Sequence, residues 1–315
     1  MNDFKAFLGG ERRQWLMGFA ILWVIAFHFC MYGNLLHVEV LNFLFGKGYL
    51  GVDIFIFLSC YGLCHSYERR SLKDFYVQRL RRLFPMYLVF VVVLVTAFAS
   101  LMPYTPVVTG LLQLTGLANF FGIEVEWYIP SLILIYALFP LIFTGIEYLY
   151  KKSIWWVISL VLVLVAASPI LSKGIFYLFV IRFPLVVIAA AAFFAIRDNA
   201  KDKLILLFVF SALVGFCFSG REMLNGSQTG MLLMPLILLG LSQLRLSLPL
   251  TRAISFLGRH TLEIYLAQNL ALNQFYANND MNFILKTGVA VGIIIAGSVV
   301  LWGVQDGWHR IVKRV

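Results

Sequence analysis

Apolar runs long enough to cross a bilayer recur from one end of the chain to the other, and they limit the fold more than any other feature. A hydrocarbon core about 30 Å thick takes roughly 20 residues of helix, because lipid offers the backbone no partner and a helix satisfies its own amides and carbonyls. Such windows fall near 16–36, 48–66, 84–102, 128–147, 154–171, 175–195, 204–219, 230–244, 256–276 and 283–303, ten in all. Only 13% of the 315 residues are charged and mean hydropathy is +0.89, against about a quarter charged in a soluble domain. The chain therefore reads as an all-α integral membrane protein with about ten transmembrane helices. It forms a single domain over 1–315, since no polar stretch is long enough for a soluble module. Lys5, Arg12 and Arg13 precede a first run too long for a secretory signal and without a small-residue cleavage site, so a retained anchor is expected.

A further segment, 107–122, is short and carries Gly110, Gly116, Asn119 and Gly122. If it does not cross and the amino end is inside, twenty of the 25 Lys and Arg fall on inner segments. Lys47, Lys173, Arg221 and Lys286 then fall outside, and Arg182 lies within a span. If it does cross, every later loop flips. The bias of cations to the cytoplasmic side thus favours both termini cytoplasmic and an extra short helix at 107–122 on the outer side.

The net charge of +10 is explained by that topology and needs no nucleic acid. Cys30, Cys60, Cys64 and Cys217 lie in apolar runs without metal-ligand spacing, so no metal is expected.

Polar groups at membrane depth are costly and mark function or structural pairing. Counting helical rise from each entry point puts His28, Gln268 and Arg182 at a common depth, with Asp53 somewhat nearer the outer face. Each has a structural reading as well: a helix–helix hydrogen bond for His28 or Gln268, and a simple ion pair for Arg182 and Asp53. The segment Tyr67–Phe84 is read as a cytoplasmic loop with six cations, suited to anionic lipid or to a phosphorylated donor, and Pro85 as the opening of the third span.

These residues resemble the membrane-bound acyltransferase 3 family. WLMGFAILWVIAFH is similar to the family's opening helix, which ends in a catalytic histidine, here His28. GYLGVDIFIFLSCYGL resembles its GVD segment, with Asp53 and Ser59 retained, and FYVQRLRRLFPMY supplies Arg79, Arg82, Pro85 and Tyr87 in the RxxRxxP pattern. Trp127, Tyr136 and Pro140, then Arg182 and Pro184, and finally SFLGRHTLEIYLAQ, which holds Tyr265 and Gln268, match further motifs. Three positions depart: Met17 stands where many members have arginine, Leu132 where many have glutamate, and Gln268 where the closing motif usually has histidine.

The resemblance implies an O-acyltransferase, acetyl being the expected group, using cytoplasmic acyl-CoA and a hydroxyl of a cell-surface glycan or its lipid-linked precursor. His28 would be general base or acylated relay, with Asp53 orienting it or serving only Arg182, and Arg182 stabilising the oxyanion. Arg79, Arg82 and Arg69 would hold CoA, and Trp127, Tyr136, Ser59, Tyr265 and Gln268 the acceptor. No cofactor is tightly bound on this reading; acetyl-CoA is a donor substrate, membrane lipids are partners, and homo-oligomerisation stays open. The expected place is the bacterial inner membrane, with a cavity running from the basic loop to His28. A transporter or flippase and an inactive homologue remain as alternatives.

Overall fold

The computed structural model describes residues 8–33, 39–101, 104–121, 123, 126–171, 181–219, 226–244, 247–277 and 281–312. Lys5, Gly122, Lys173, Arg221, Arg245, Lys313 and Arg314, and the start of the span expected at 175–195, lie outside them.

Among the described residues the regular structure is helical. The helices are α1 (Gly10–Gly33), α2 (Glu39–Gly46), α3 (Leu50–Glu68), α4 (Leu72–Ala97), α5 (Pro106–Leu114), α6 (Tyr128–Lys152), α7 (Ile154–Leu171) and α8 (Phe183–Arg197). They continue as α9 (Lys201–Ser219), α10 (Gly226–Ser242), α11 (Leu248–Arg259), α12 (Thr261–Gln268) and α13 (Phe283–Val312), with a π-helical segment, Asn269–Tyr276, after α12. By length and composition, five of them could cross a membrane: Gly10–Tyr32, Leu50–Glu68, Leu72–Ala97, Tyr128–Lys152 and Phe283–Val312. Three shorter apolar helices, Ile154–Ser168, Phe183–Arg197 and Gln228–Ser242, accompany them.

Three sequence expectations change. The basic stretch before Pro85 is helix rather than loop. Ser71 caps α4, its Oγ accepting the Asp74 backbone N–H at 3.1 Å, and Pro85 lies thirteen residues past the helix start. Arg79 and Arg82 consequently stand three apart on one helical face. The segment 107–122 is not one helix: α5 ends at Leu114, and Gly116 turns the chain with φ +77°, a left-handed value that glycine adopts freely, before a short 3-10 turn at Ala118–Phe121. The expected span 256–276 is broken at His260, where α11 ends, and α12 passes into the wider π-helix.

α1 and α3 run antiparallel at close range. A side chain on Gly48 would strike the Trp23 carbonyl, and one on Gly51 the Ala20 carbonyl and Val24. α11 crosses α1 equally closely, with Gly18 on the Ile254 carbonyl and Gly258 on the Gln14 carbonyl. Among the described residues most of the core is one large apolar cluster to which α1, α3, α4, α6 and α8 contribute, with Leu185–Ala195 of α8 buried on every face, and a smaller cluster gathers Ala271, Leu272, Tyr276 and Ala290.

Candidate active site

The basic end of the molecule holds a vestibule of about 710 Å³. Six arginines line it, Arg13, Arg69, Arg70, Arg79, Arg81 and Arg82, with Asp74, Trp308 and His309. A narrower cavity of about 120 Å³ continues from it, sharing Arg13, Gly62, Arg79 and Arg82, and ends among Ser59, Tyr128, Tyr136 and Tyr265. Met17 and Leu132 also line it.

Arg13 is one of the lining residues to which the sequence reading gave no site role. It stands one helical turn before Met17, so it shares Met17's face of α1. Its Nη2 donates to the Leu58 carbonyl at 3.3 Å. Gly62 makes that possible, because a Cβ there would meet the guanidinium at 3.0 Å. The signal was present in Arg12 and Arg13, but only the close approach of α3 shows which of the two turns inward.

Beyond the narrow cavity lies Glu126, fully buried just before α6. Its Oε1 accepts the Ile129 N–H at 2.9 Å, its Oε2 accepts the Asn269 amide at 2.9 Å, and the Tyr265 hydroxyl donates to the carboxylate at 3.2 Å. Burial pushes this carboxyl up to about 7, the Ile129 and Tyr128 backbone amides and the Tyr265 hydroxyl pulling the other way. Leu132, where the family resemblance suggested a carboxylate, presents only an apolar surface; the buried carboxylate of this region comes from Glu126, six residues earlier.

Asp53 and Arg182 form a second cluster. Arg182, at the amino end of α8, donates from Nε to Asp53 Oδ1 at 2.9 Å, and its guanidinium lies 4.7 Å from the Trp127 ring. Asp53 is wholly buried and Arg182 5% exposed. Arg182 Nη1 and Asp53 Oδ2 have no hydrogen-bond partner among the described residues.

His28 lies apart from both. Its Nδ1 is 3.0 Å from the Val24 carbonyl. A carbonyl only accepts, so Nδ1 carries the hydrogen and Nε2 presents its lone pair. Tyr32 stacks on the ring and Phe27 meets it edge-on. Because Gly51 packs opposite Ala20 and Val24, Asp53 falls near the level of Ala20, about 12 Å along α1 from His28 on the side toward Arg13. The expectation that Asp53 lies further out than His28 is thus reversed: counting rise along separate helices could not see the offset between α1 and α3. His28 does not line either cavity described above, so the channel expected to reach it ends at Tyr128 and Tyr265.

The structure therefore brings Arg69, Arg79 and Arg82 together on the vestibule, Ser59, Tyr136 and Tyr265 on the narrow cavity, and Asp53, Arg182 and Trp127 in one cluster. Gln268 is buried with neither amide atom hydrogen-bonded among the described residues.

This is a multi-pass, all-helical membrane protein with a basic vestibule opening into an aromatic-lined cavity. Residues 14–303 match the family model of the acyltransferase domain in the acyltransferase 3 family. The chain belongs to that family and is an acyltransferase. No curated protein and no solved structure matches it.

Proposed function

We propose that the protein is an O-acyltransferase of the bacterial inner membrane, with ten spans and both termini cytoplasmic. On this reading it moves acetyl from cytoplasmic acetyl-CoA to a hydroxyl of a surface glycan or its lipid-linked precursor. The observation that carries the reading is the continuity of the six-arginine vestibule with the narrow cavity. Guanidinium forks match phosphate oxygens in geometry and charge, and a slot too slim for the nucleotide suits the thioester arm that follows it. From Arg13 to His28 is about 22 Å along α1, a reach of the order that an extended pantetheine arm covers once Tyr128 and Tyr265 give way.

At the reacting end, His28 Nε2 takes the proton of the acceptor hydroxyl as its oxygen attacks the thioester carbonyl. The carbonyl becomes an oxyanion, the C–S bond breaks, and the CoA thiolate leaves with the proton. In the relay form of the reaction, Nε2 itself attacks, the C–S bond breaks with release of the CoA thiolate, and the acceptor hydroxyl opens the resulting acyl-imidazolium, its proton passing through the imidazole to the thiolate. Asp53 serves Arg182, holding a cation in the apolar interior, and the free Nη1 is the donor available to a carbonyl oxygen passing it.

The test is purified protein with labelled acetyl-CoA and candidate glycan acceptors. Transfer that is lost in His28→Ala supports the assignment. Transfer that survives the substitution removes His28 from the chemistry, and glycan movement across vesicles without any acylation makes the protein a flippase.

A further inference from the structure

Trp308 is the one aromatic residue among those lining the vestibule that belongs to the carboxyl-terminal helix. α13 is held against the arginine turn of α4 by Gln305, whose amide donates to the Arg81 carbonyl at 3.3 Å, and His309 Nδ1 donates back to the Gln305 carbonyl at 2.7 Å. This places Trp308 on the wall of the same vestibule as Arg69, Arg79 and Arg82. The other indoles near the site are occupied: Trp127 lies under Arg182, Trp302 meets His260, and Trp23 donates to the Leu44 carbonyl. Trp308 is 40% exposed, and no described neighbour stacks on its ring.

An indole face beside a fixed group of guanidiniums has a specific use. The arginines neutralise phosphates, and a planar heteroaromatic base attached to those phosphates covers the indole, as bases stack on aromatic side chains elsewhere. A phospholipid headgroup offers the arginines a phosphate but has nothing planar for the indole.

We propose that Trp308 is a stacking platform for the adenine of the acyl donor, so that the vestibule recognises the nucleoside end of the donor as well as its phosphates. This rests on acyl-CoA being the donor. It makes the vestibule selective for CoA thioesters over thioesters on a shorter phosphopantetheine carrier, which has the arm and one phosphate but no base.

The experiment compares acetyl-CoA with S-acetyl-4′-phosphopantetheine, using wild type, Trp308→Ala and Trp308→Phe in detergent, alongside equilibrium binding of labelled CoA. The expected result is a KM for acetyl-CoA raised roughly five- to hundredfold in Trp308→Ala and largely restored in Trp308→Phe. The KM for the short donor should not change, which also shows that the variant is folded. CoA binding should weaken in parallel. Equal losses on both donors, or an unchanged KM for acetyl-CoA, overturn the proposal while leaving acyl transfer intact. Should wild type bind CoA, and Trp308→Ala bind it more weakly, with no transfer from either, the assigned reaction fails and the adenine platform stands.

Discussion

Arg182 Nε donates to Asp53 Oδ1 at 2.9 Å across 129 residues of sequence, in a place where Asp53 is wholly buried and Arg182 nearly so. An ion pair so buried adds little net stability, yet removing one partner strands the other charge in an apolar interior. Asp53→Ala should therefore destabilise the fold by about 3–5 kcal/mol, and Asp53→Asn by less, since the amide keeps an oxygen for Nε. The exchange Asp53→Arg with Arg182→Asp should recover part of the loss. Thermal unfolding in detergent measures all three against wild type; an Asp53→Ala variant as stable as wild type would show the pair to be dispensable.

Arg13 depends on Gly62 for its place in the narrow cavity. Arg13→Ala should raise the KM for acyl-CoA about ten- to hundredfold, the range expected for losing a hydrogen bond to a charged group. Gly62→Val should do nearly the same without touching any charge, because its side chain takes the guanidinium's space. Steady-state kinetics on both variants check this, and normal donor affinity in Gly62→Val is the outcome that defeats it.

Glu126 gives the fold a pH dependence with a definite sign. Its folded-state carboxyl titrates at about 7 against 4.5 ordinarily. The folded protein thus holds a proton that the unfolded chain has already released. That contribution is complete below about 4.5 and is lost as the pH rises through about 7, amounting to about 3 kcal/mol over the interval. Wild type should lose melting temperature between pH 5 and pH 8 relative to Glu126→Gln, which keeps the acceptor for Ile129 and cannot ionise. Parallel melting curves for the two would mean that Glu126 does not titrate in this range.

The sequence was most readable where one residue carries its meaning alone. The apolar runs announced a helical membrane protein, and GVD with RxxRxxP announced the family, because both patterns are local. The charge of the Tyr67–Phe84 segment suits a phosphorylated donor or anionic lipid, the RxxRxxP resemblance gives Arg79 and Arg82 the CoA role, and both side chains line the vestibule. What depends on how helices lie against each other was not legible. Glu126 has no role in the sequence reading, because the residues that close over it, Tyr265 and Asn269, come some 140 residues later. The offset between His28 and Asp53 is fixed by Gly48 and Gly51 fitting against α1, and a missing side chain leaves no charge or hydropathy signal to read. The helix start at Ser71 was visible in principle as a cap three residues before Asp74, but Pro85 drew the boundary to itself.

The separation of His28 from the vestibule divides the kinetic consequences of substitution. About 22 Å of helix lies between Arg13 and His28, too far for either to compensate for the other. Arg79→Ala and Arg82→Ala should raise the KM for acyl-CoA and weaken labelled CoA binding, leaving most of the rate at saturation. His28→Ala should leave CoA binding near the wild-type value and lower kcat by about 10²–10⁴, the usual contribution of a positioned general base. If His28 is instead acylated, the loss will be larger, and a labelled acyl group will be recoverable from wild type after rapid quenching without acceptor. Should His28→Ala weaken CoA binding as much as Arg79→Ala does, the donor and the histidine share one site, and the two-part arrangement of vestibule and reacting end is wrong.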